Sequence, residues 1–432
     1  MSDASLEGRL ISLDVFRGMT IAGMVLVNNP GTWSAIYGPL KHAEWHGITP
    51  TDYIFPFFLF IVGVAMPVAL SRRIAEGVTR DVYVKILSRS AAIFAAGLAI
   101  SALPLFDINK TTTPAFFKWV AVLAVIAALF FLFARKFKIA LALIGVWAMV
   151  LIVSQLAGYE IIPYHFGGMR IPGVLQRIAV CYLVASLIFL HTSWKQLAAI
   201  GAAMLLIYWW LMTAVPVPGC EVTSIDDKAC NLAAYIDRLI LTEAHIWRAG
   251  KVYDPEGILS TIPAVVTTLA GVLAGTWLRQ EREPADKVNG LFFFGVMLLA
   301  AGWTWSLVFP LNKALWTSSY VVYTAGLALL TLAACYWLID IKGYRRWAFP
   351  FVVFGVNALG LFVFSGIFAR MLNIIRFGPE GEQITLQKLI FQNVFLSLGS
   401  PLTTSLLYAL TFILFWWFLM WLLYRKKLFL KV

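Results

Sequence analysis

Charge is scarce in this sequence. Asp, Glu, Lys and Arg make up 13% of its 432 residues, where a soluble domain carries about 25%. That shortage excludes an ordinary soluble globular fold. Cysteine is scarce too. There are four, with no Cys-x-x-Cys pair, so neither a disulfide-dense scaffold nor a cysteine zinc site is expected. Cys181 and Cys335 sit inside apolar runs and read as packing residues, whereas Cys220 and Cys230 share one polar loop. Those two can pair if the loop meets an oxidising compartment. No GxxxxGK[ST], GxGxxG or GxSxG motif stands in a suitable setting, which removes the usual phosphate-binding and serine-nucleophile readings. No cleavable leader is expected either: the start MSDASLEG is acidic, and Asp14 and Arg17 break the first apolar run.

What is abundant is apolar length. Hydrophobic residues make up 61% of the chain, with 17 Trp and 32 Phe. A helix needs about 20 apolar residues to cross a bilayer. About twelve segments qualify: 10–29, 53–71, 86–105, 116–134, 139–157, 173–190, 197–215, 259–278, 289–309, 319–340, 348–369 and 401–424. The expected fold is therefore all-α, a polytopic bundle of membrane helices forming one transmembrane domain over 1–432. The net charge of +12 is not a nucleic-acid signature. Its basic residues fall in alternate short loops, among them Arg72, Arg73, Arg80, Lys85, the RKFK run at 135–138, KGYRR at 342–346 and RKK at 425–427. Positive loops mark the cytoplasmic side. Both termini are expected there, and the loops at 30–52, 158–172, 216–258, 310–318 and 370–400 are expected outside. No discontinuous helix and no inverted repeat is visible in the sequence.

Against this background the polar residues stand out. The stretch KHAEWHGITPTDYIFPFFLF (41–60) packs His42, Glu44, Trp45, His46 and Asp52 into the head of a span. The first span, SLDVFRGMTIAGMVLVNN (12–29), carries Asp14, Arg17, Asn28 and Asn29. Ionisable groups so close to lipid are expensive and point to function by default. The competing account is a polar loop capping two helices. In the first span Asp14, Arg17 and Asn28 lie near whole helical turns from one another, so they share a face, with Arg17 about 16 Å from Asn28. That stripe either lines a passage or amounts to a local Asp14–Arg17 pair. Gln176 and Arg177 open the sixth span, and Asp254 and Glu256 precede the eighth. Asp237 lies in AAYIDRLILTEAHIW (233–247), which reads as a short amphipathic helix. Asn312 and Lys313 occupy an outer loop, and Asn357 falls midway through the eleventh span. Singly each of these residues is satisfied as a cap, a snorkelling cation or an interhelical bond. Their expected common side favours a shared site.

HAEWH is not a zinc motif, because Glu44 is third rather than second as HExxH requires, and Gly47 and Pro50 interrupt any supporting helix. The Pro-Cys-x-x-Cys partner of a zinc deaminase is also missing. No metal is expected.

The motifs RLISLDVFRG (9–18), MVLVNN (24–29), KHAEWHGITPTDYIFPFF (41–58), RIPGVLQRIA (170–179), AYIDRLIL (234–241), YDPEGILSTI (253–262) and PLNKALW (310–316) run through the chain in one order. Together they resemble the heparan-α-glucosaminide N-acetyltransferase family, transmembrane enzymes that acetylate a terminal glucosamine across a membrane. The chain opens at the first core span, so it looks like a bacterial member, in which 116–134 and 139–157 look like an insertion. The resemblance implies an inner-membrane protein with acetyl-CoA as co-substrate, an amino-sugar acceptor and the bilayer as partners, and no nucleic acid. It makes His42 the active-site histidine and Asn28, or its neighbour Asn29, its companion. Histidine suits deprotonation of an attacking amine near neutral pH, and an Asn amide suits the oxyanion. Asp14 and Arg17 would line the way for the cofactor. Trp45, Asp52, Gln176, Arg177, Asp237, Asp254, Glu256, Asn312 and Lys313 would surround the acceptor. Direct transfer and an acetyl-histidine intermediate both remain open, as does homodimerisation. The rival from another class is an amino-sugar transporter. A closer one is an O-acyltransferase of a cell-envelope glycan.

Overall fold

The computed structural model describes residues 10–379 and 382–430. Its helices fall where the apolar runs predict. They are α1 (Ile11–Asn28), α2 (Ile54–Ala75), α3 (Arg80–Ala102), α4 (Ala115–Phe133), α5 (Phe137–Leu156), α6 (Val174–His191) and α7 (Trp194–Ala214). The short α8 (Leu232–Leu241) follows, then α9 (Thr261–Leu278), α10 (Pro284–Trp305) and α11 (Ser318–Cys335). The C-terminal part holds α12 (Phe349–Val356), α13 (Ala358–Ile374), α14 (Leu386–Ile390) and α15 (Pro401–Arg425). Among the described residues, eleven helices are long and apolar enough to span a membrane, or twelve if α12 and α13 count as one span. The chain is an all-α polytopic membrane protein. Its β structure among these residues is one two-stranded ribbon, Arg376–Phe377 against Ile384–Thr385.

Two expectations need correction. The stretch expected as one unbroken eleventh span is interrupted at Asn357, so a discontinuous helix is present after all. Asn357 spends its side chain on distant backbone: Oδ1 accepts the Leu430 N–H at 2.8 Å and Nδ2 donates to the Leu428 carbonyl at 3.2 Å. An Asn that captures outside backbone groups starts a new helix instead of continuing the old one. The amphipathic helix expected over 233–247 stops at Leu241, because Thr242 turns to φ 62°. A β-branched residue at positive φ cannot propagate an α-helix.

The chain divides into two compact units. The first takes in residues 10–24, 39–95 and 170–355, and the second takes in 25–38, 96–169 and 356–430. In the second unit α4 and α5 form an antiparallel hairpin, and Phe391 and Phe395 pack on Tyr408 of α15. In the first unit α1, α2, α9 and α11 bury Phe16, Phe60, Val64, Ala274, Leu278 and Leu332 in one core. Within it α2 and α9 meet backbone to backbone. A Cβ on Gly63 would collide with the Thr268 carbonyl, and one on Gly271 with the Phe60 carbonyl. Without a hydrophobic drive between helices in lipid, such close approach through small residues is what holds them together. A second core, with Tyr208, Met212, Leu232, Leu259, Phe309 and Leu315, lies beneath the loops that carry the polar motifs.

Candidate active site

Asp52 is the organising group of this unit's polar end. It sits at the mouth of α2, fully buried, and its two carboxylate oxygens do different work. Oδ2 accepts the backbone N–H of Ala43 at 3.1 Å and of Thr49 at 3.0 Å, with the Thr49 hydroxyl also 3.0 Å away. Those bonds fold residues 43–52 into a tight loop. Oδ1 faces the other way, 2.6 Å from His42 Nδ1 and 3.4 Å from Lys313 Nζ. A carboxylate so close to Nδ1 places the neutral ring's proton there and leaves Nε2 as the acceptor. The His42 side chain is 48% exposed, so this basic nitrogen is within reach of a ligand. Beneath the pair, the buried Tyr320 hydroxyl donates to the Asp52 backbone carbonyl at 2.6 Å.

Lys313 reaches the same point from the loop between α10 and α11. Its Nζ lies 2.9 Å from His42 Nδ1 and 3.4 Å from Nε2. Burial pushes its pKa below the ordinary lysine value, while the Asp52 carboxylate pulls it back up. The loop is pinned by Asn312, whose Oδ1 accepts the Leu315 N–H at 2.9 Å and whose Nδ2 lies 3.3 Å from His46 Nδ1. Gly47 N–H donates to the Leu311 carbonyl at 2.8 Å. The two motifs, far apart in the chain, are thereby stitched together.

A strap covers the far side of the motif. Cys220 and Cys230 form a disulfide, the option their shared loop left open. The loop they close offers the Ile225 carbonyl to Trp45 Nε1 at 2.9 Å and Asp226 to His46 Nε2 at 2.8 Å. Tyr253 packs edge-on against the Trp45 ring, centroids 5.1 Å apart.

The remaining acidic candidates gather around a different cation. Arg170 donates from Nε to Asp254 Oδ2 at 2.8 Å, from Nη2 to Asp254 Oδ1 at 2.5 Å, and also from Nη2 to Glu256. Asp237 accepts the backbone N–H of Ile258 at 2.8 Å and of Asp254 at 3.4 Å. Burial pushes its carboxyl up to about 6, and the Asp254 carboxylate adds to the rise. Arg177 is buried, lies 5.0 Å from the centroid of the Trp316 ring, and donates to the Gly257 carbonyl and to Ser260. Gln176 is buried and folds over Gly173.

Of the residues singled out in the sequence, the structure therefore gathers His42, Asp52, Lys313, Asn312 and Trp45 at one centre. It gathers Asp237, Asp254, Glu256 and Arg177 at a second. Asp14 and Arg17 pair on α1 at 3.1 Å, as their spacing allows. Asn28 ends α1, and Asn29 donates to the Val25 carbonyl at 2.8 Å; both lie in the second unit. Sequence reading passed over Arg170, Tyr320 and Asp226. Arg170 could have been found as the lone cation of an acid-facing loop motif, but nothing in the sequence marks Tyr320. Two apolar cavities of about 460 and 350 Å³ lie among α7, α9, α10 and α11, and no residue of either centre lines them.

These features define a class: a polytopic helical membrane protein with an imidazole, a carboxylate and an amine drawn together at the head of one helix. Residues 9–167, which hold His42 and Asp52, match the family model described as heparan-alpha-glucosaminide N-acetyltransferase, catalytic. The chain is similar to heparan-alpha-glucosaminide N-acetyltransferase of Mus musculus, 26% identical over 480 residues, which take in 99% of this chain and 61% of that protein. It is equally similar to the Homo sapiens protein of the same name, 26% identical over 482 residues with the same shares. The chain thus spans 61% of the length of the curated relatives it matches. The family resemblance carried by the motifs is borne out across nearly the whole chain.

Proposed function

We propose that this protein is a membrane acetyltransferase that moves the acetyl group of acetyl-CoA to the amine of a terminal glucosamine or related amino sugar. The observation that carries this reading is the His42–Asp52 pair, joined at 2.6 Å, on a chain that resembles glucosamine acetyltransferases. Asp52 fixes the ring's tautomer, and Nε2 takes the proton as the sugar nitrogen attacks the thioester carbon. The developing imidazolium is steadied by the carboxylate behind it. Collapse of the tetrahedral adduct expels CoA thiolate, to which His42 returns the proton. Asn28, with Asn29 beside it, is the oxyanion donor that the family resemblance nominates. Direct transfer is the simpler course, since no acyl-histidine is needed once Nε2 serves as base.

In this reading acetyl-CoA enters from the cytoplasm, past the Asp14–Arg17 face of α1, and the acceptor waits on the outer side of an inner membrane. The loops with His42 and with the Cys220–Cys230 disulfide belong to that outer side, and both termini to the cytoplasm. The disulfide supports the sidedness, because such bonds persist in oxidising compartments. Trp45, Asn312 and the carboxylates Asp237, Asp254 and Glu256 shape the acceptor pocket. Arg170 neutralises two of those acids, so they serve as fixed hydrogen-bond acceptors rather than free anions. No metal takes part.

The rival reading, an amino-sugar transporter, draws on the helix break at Asn357, since broken helices build many transporter sites. One experiment separates the two. Membranes containing the protein should release CoA from acetyl-CoA only when glucosamine is supplied. Uptake of labelled sugar without CoA release would establish the transporter instead. Activity on N-acetylated but not on free-amine acceptors would identify an O-acyltransferase.

A further inference from the structure

Lys313 holds a primary amine against the imidazole, beside the position an acceptor amine would take at Nε2. Its Nζ is 2.9 Å from one ring nitrogen of His42 and 3.4 Å from the other. An in-plane position at those two distances would overlap the ring's own Cε1–H group, so the amine lies over the ring face. The in-plane direction of Nε2 therefore stays open for a proton. Oδ1 of Asp52 is 3.4 Å from Nζ, and the side chain is 20% exposed. It is not a solvated surface lysine. The loop that carries it is tied down on both sides, through Asn312 to Leu315 and through Leu311 to Gly47.

We propose that Lys313 is a self-acetylation site: without an amino-sugar acceptor, its Nζ takes the acetyl group from acetyl-CoA and becomes Nε-acetyl-lysine. This rests on the transferase reading above and extends it. The Nζ lone pair attacks the thioester carbonyl carbon. A C–N bond forms, the C–S bond breaks, and sulfur departs with the bonding electrons as CoA thiolate. For this step Nζ turns from the ring face into the in-plane direction of Nε2; the proton it sheds passes to Nε2 and from there to the thiolate, giving CoA thiol. Nothing is oxidised or reduced. Burial already lowers the pKa of this amine, which enlarges its nucleophilic uncharged fraction. The product is a neutral amide in place of a cation beside Asp52 and His42. Occupancy by the sugar amine would protect Lys313, and a modified chain would be a spent one.

The test uses the purified full-length chain in lipid, incubated with acetyl-CoA, digested and mapped by mass spectrometry. Lys313 should gain one acetyl group at least about tenfold faster than the exposed Lys110 and Lys251, as expected for an amine held beside a base. Free glucosamine should suppress the gain, and His42→Ala should abolish it. If Lys313 stays unmodified, or gains acetyl no faster than Lys110 and Lys251, while the same preparation acetylates glucosamine, the self-acetylation fails and the transferase stands. An unmodified Lys313 in a preparation that acetylates no amino sugar overturns both. Equal modification of Lys313 in wild type and in a folded His42→Ala variant identifies plain chemical acetylation and also overturns the proposal. Should that variant not fold, the wild-type ratio to Lys110 and Lys251 decides alone.

Discussion

The first unit contains two clusters built from the same kinds of residue, and they are finished differently. Around Arg170, Asp254 and Asp237 each carboxylate is spent: Asp254 takes two guanidinium bonds and the Glu256 N–H, and Asp237 takes two backbone N–H groups. Around Asp52 one oxygen is spent on the loop, and the other faces an imidazole that is 48% exposed. The first arrangement is a brace for residues 254–258. The second leaves an imidazole open, which the proposed function uses as its base. Burial of charge alone does not separate a brace from a catalytic centre; what separates them is whether a titratable atom is left facing a ligand.

That contrast is open to direct attack. The largest effect is expected for His42→Ala, which should cut CoA release in the presence of glucosamine roughly a thousandfold while leaving the detergent melting profile unchanged. Asp52→Asn should follow with a loss of roughly a hundredfold, because the amide can hold the ring in the wrong tautomer. Its rate should fall far more than its melting temperature, or Asp52 belongs with the brace. Arg170→Met should behave in the opposite sense. Leaving Asp254 and Glu256 buried without their cation costs about 3–5 kcal/mol of stability, read as a lower melting temperature, with the rate per folded molecule changed much less.

Asp237 offers the gentlest probe. Its carboxyl titrates near 6 in the fold and at 3.8 when free. Well below pH 3.8 it is protonated in both states. As pH rises toward 6 the unfolded chain ionises first and is favoured, so stability falls by up to about 3 kcal/mol and then levels off. Asp237→Asn should flatten the melting temperature across that interval. An unchanged slope would place the pH dependence elsewhere.

The membrane helices were legible because lipid-length apolar runs with basic punctuation allow few alternatives. His42 was legible through its motif and Asp52 through its position at the mouth of a span. What the sequence could not supply were partnerships across great separations. Lys313 meets His42 from 271 residues away, and Arg170 meets Asp254 from 84 away. Asn357 breaks its helix for backbone groups 71 and 73 residues on. That Asp254 and Glu256 share one guanidinium was not legible, because Arg170 lies on another loop. The end of α8 was missed for a local reason: nothing in Leu-Thr-Glu announces the positive φ at Thr242.

The glycine seam between α2 and α9 has a bearing on all of this. Asp52 stands at the head of one of those helices, and Gly257 and Ser260 stand at the head of the other. Because Gly63 and Gly271 leave no room for adjustment between the two rods, the brace and the base are mounted on a single stiff frame. An added methyl group deep in the lipid, some 16 Å along α2 from Asp52, would tilt the mounting. On the proposed function, inherited or engineered faults in activity can therefore originate where no substrate ever goes.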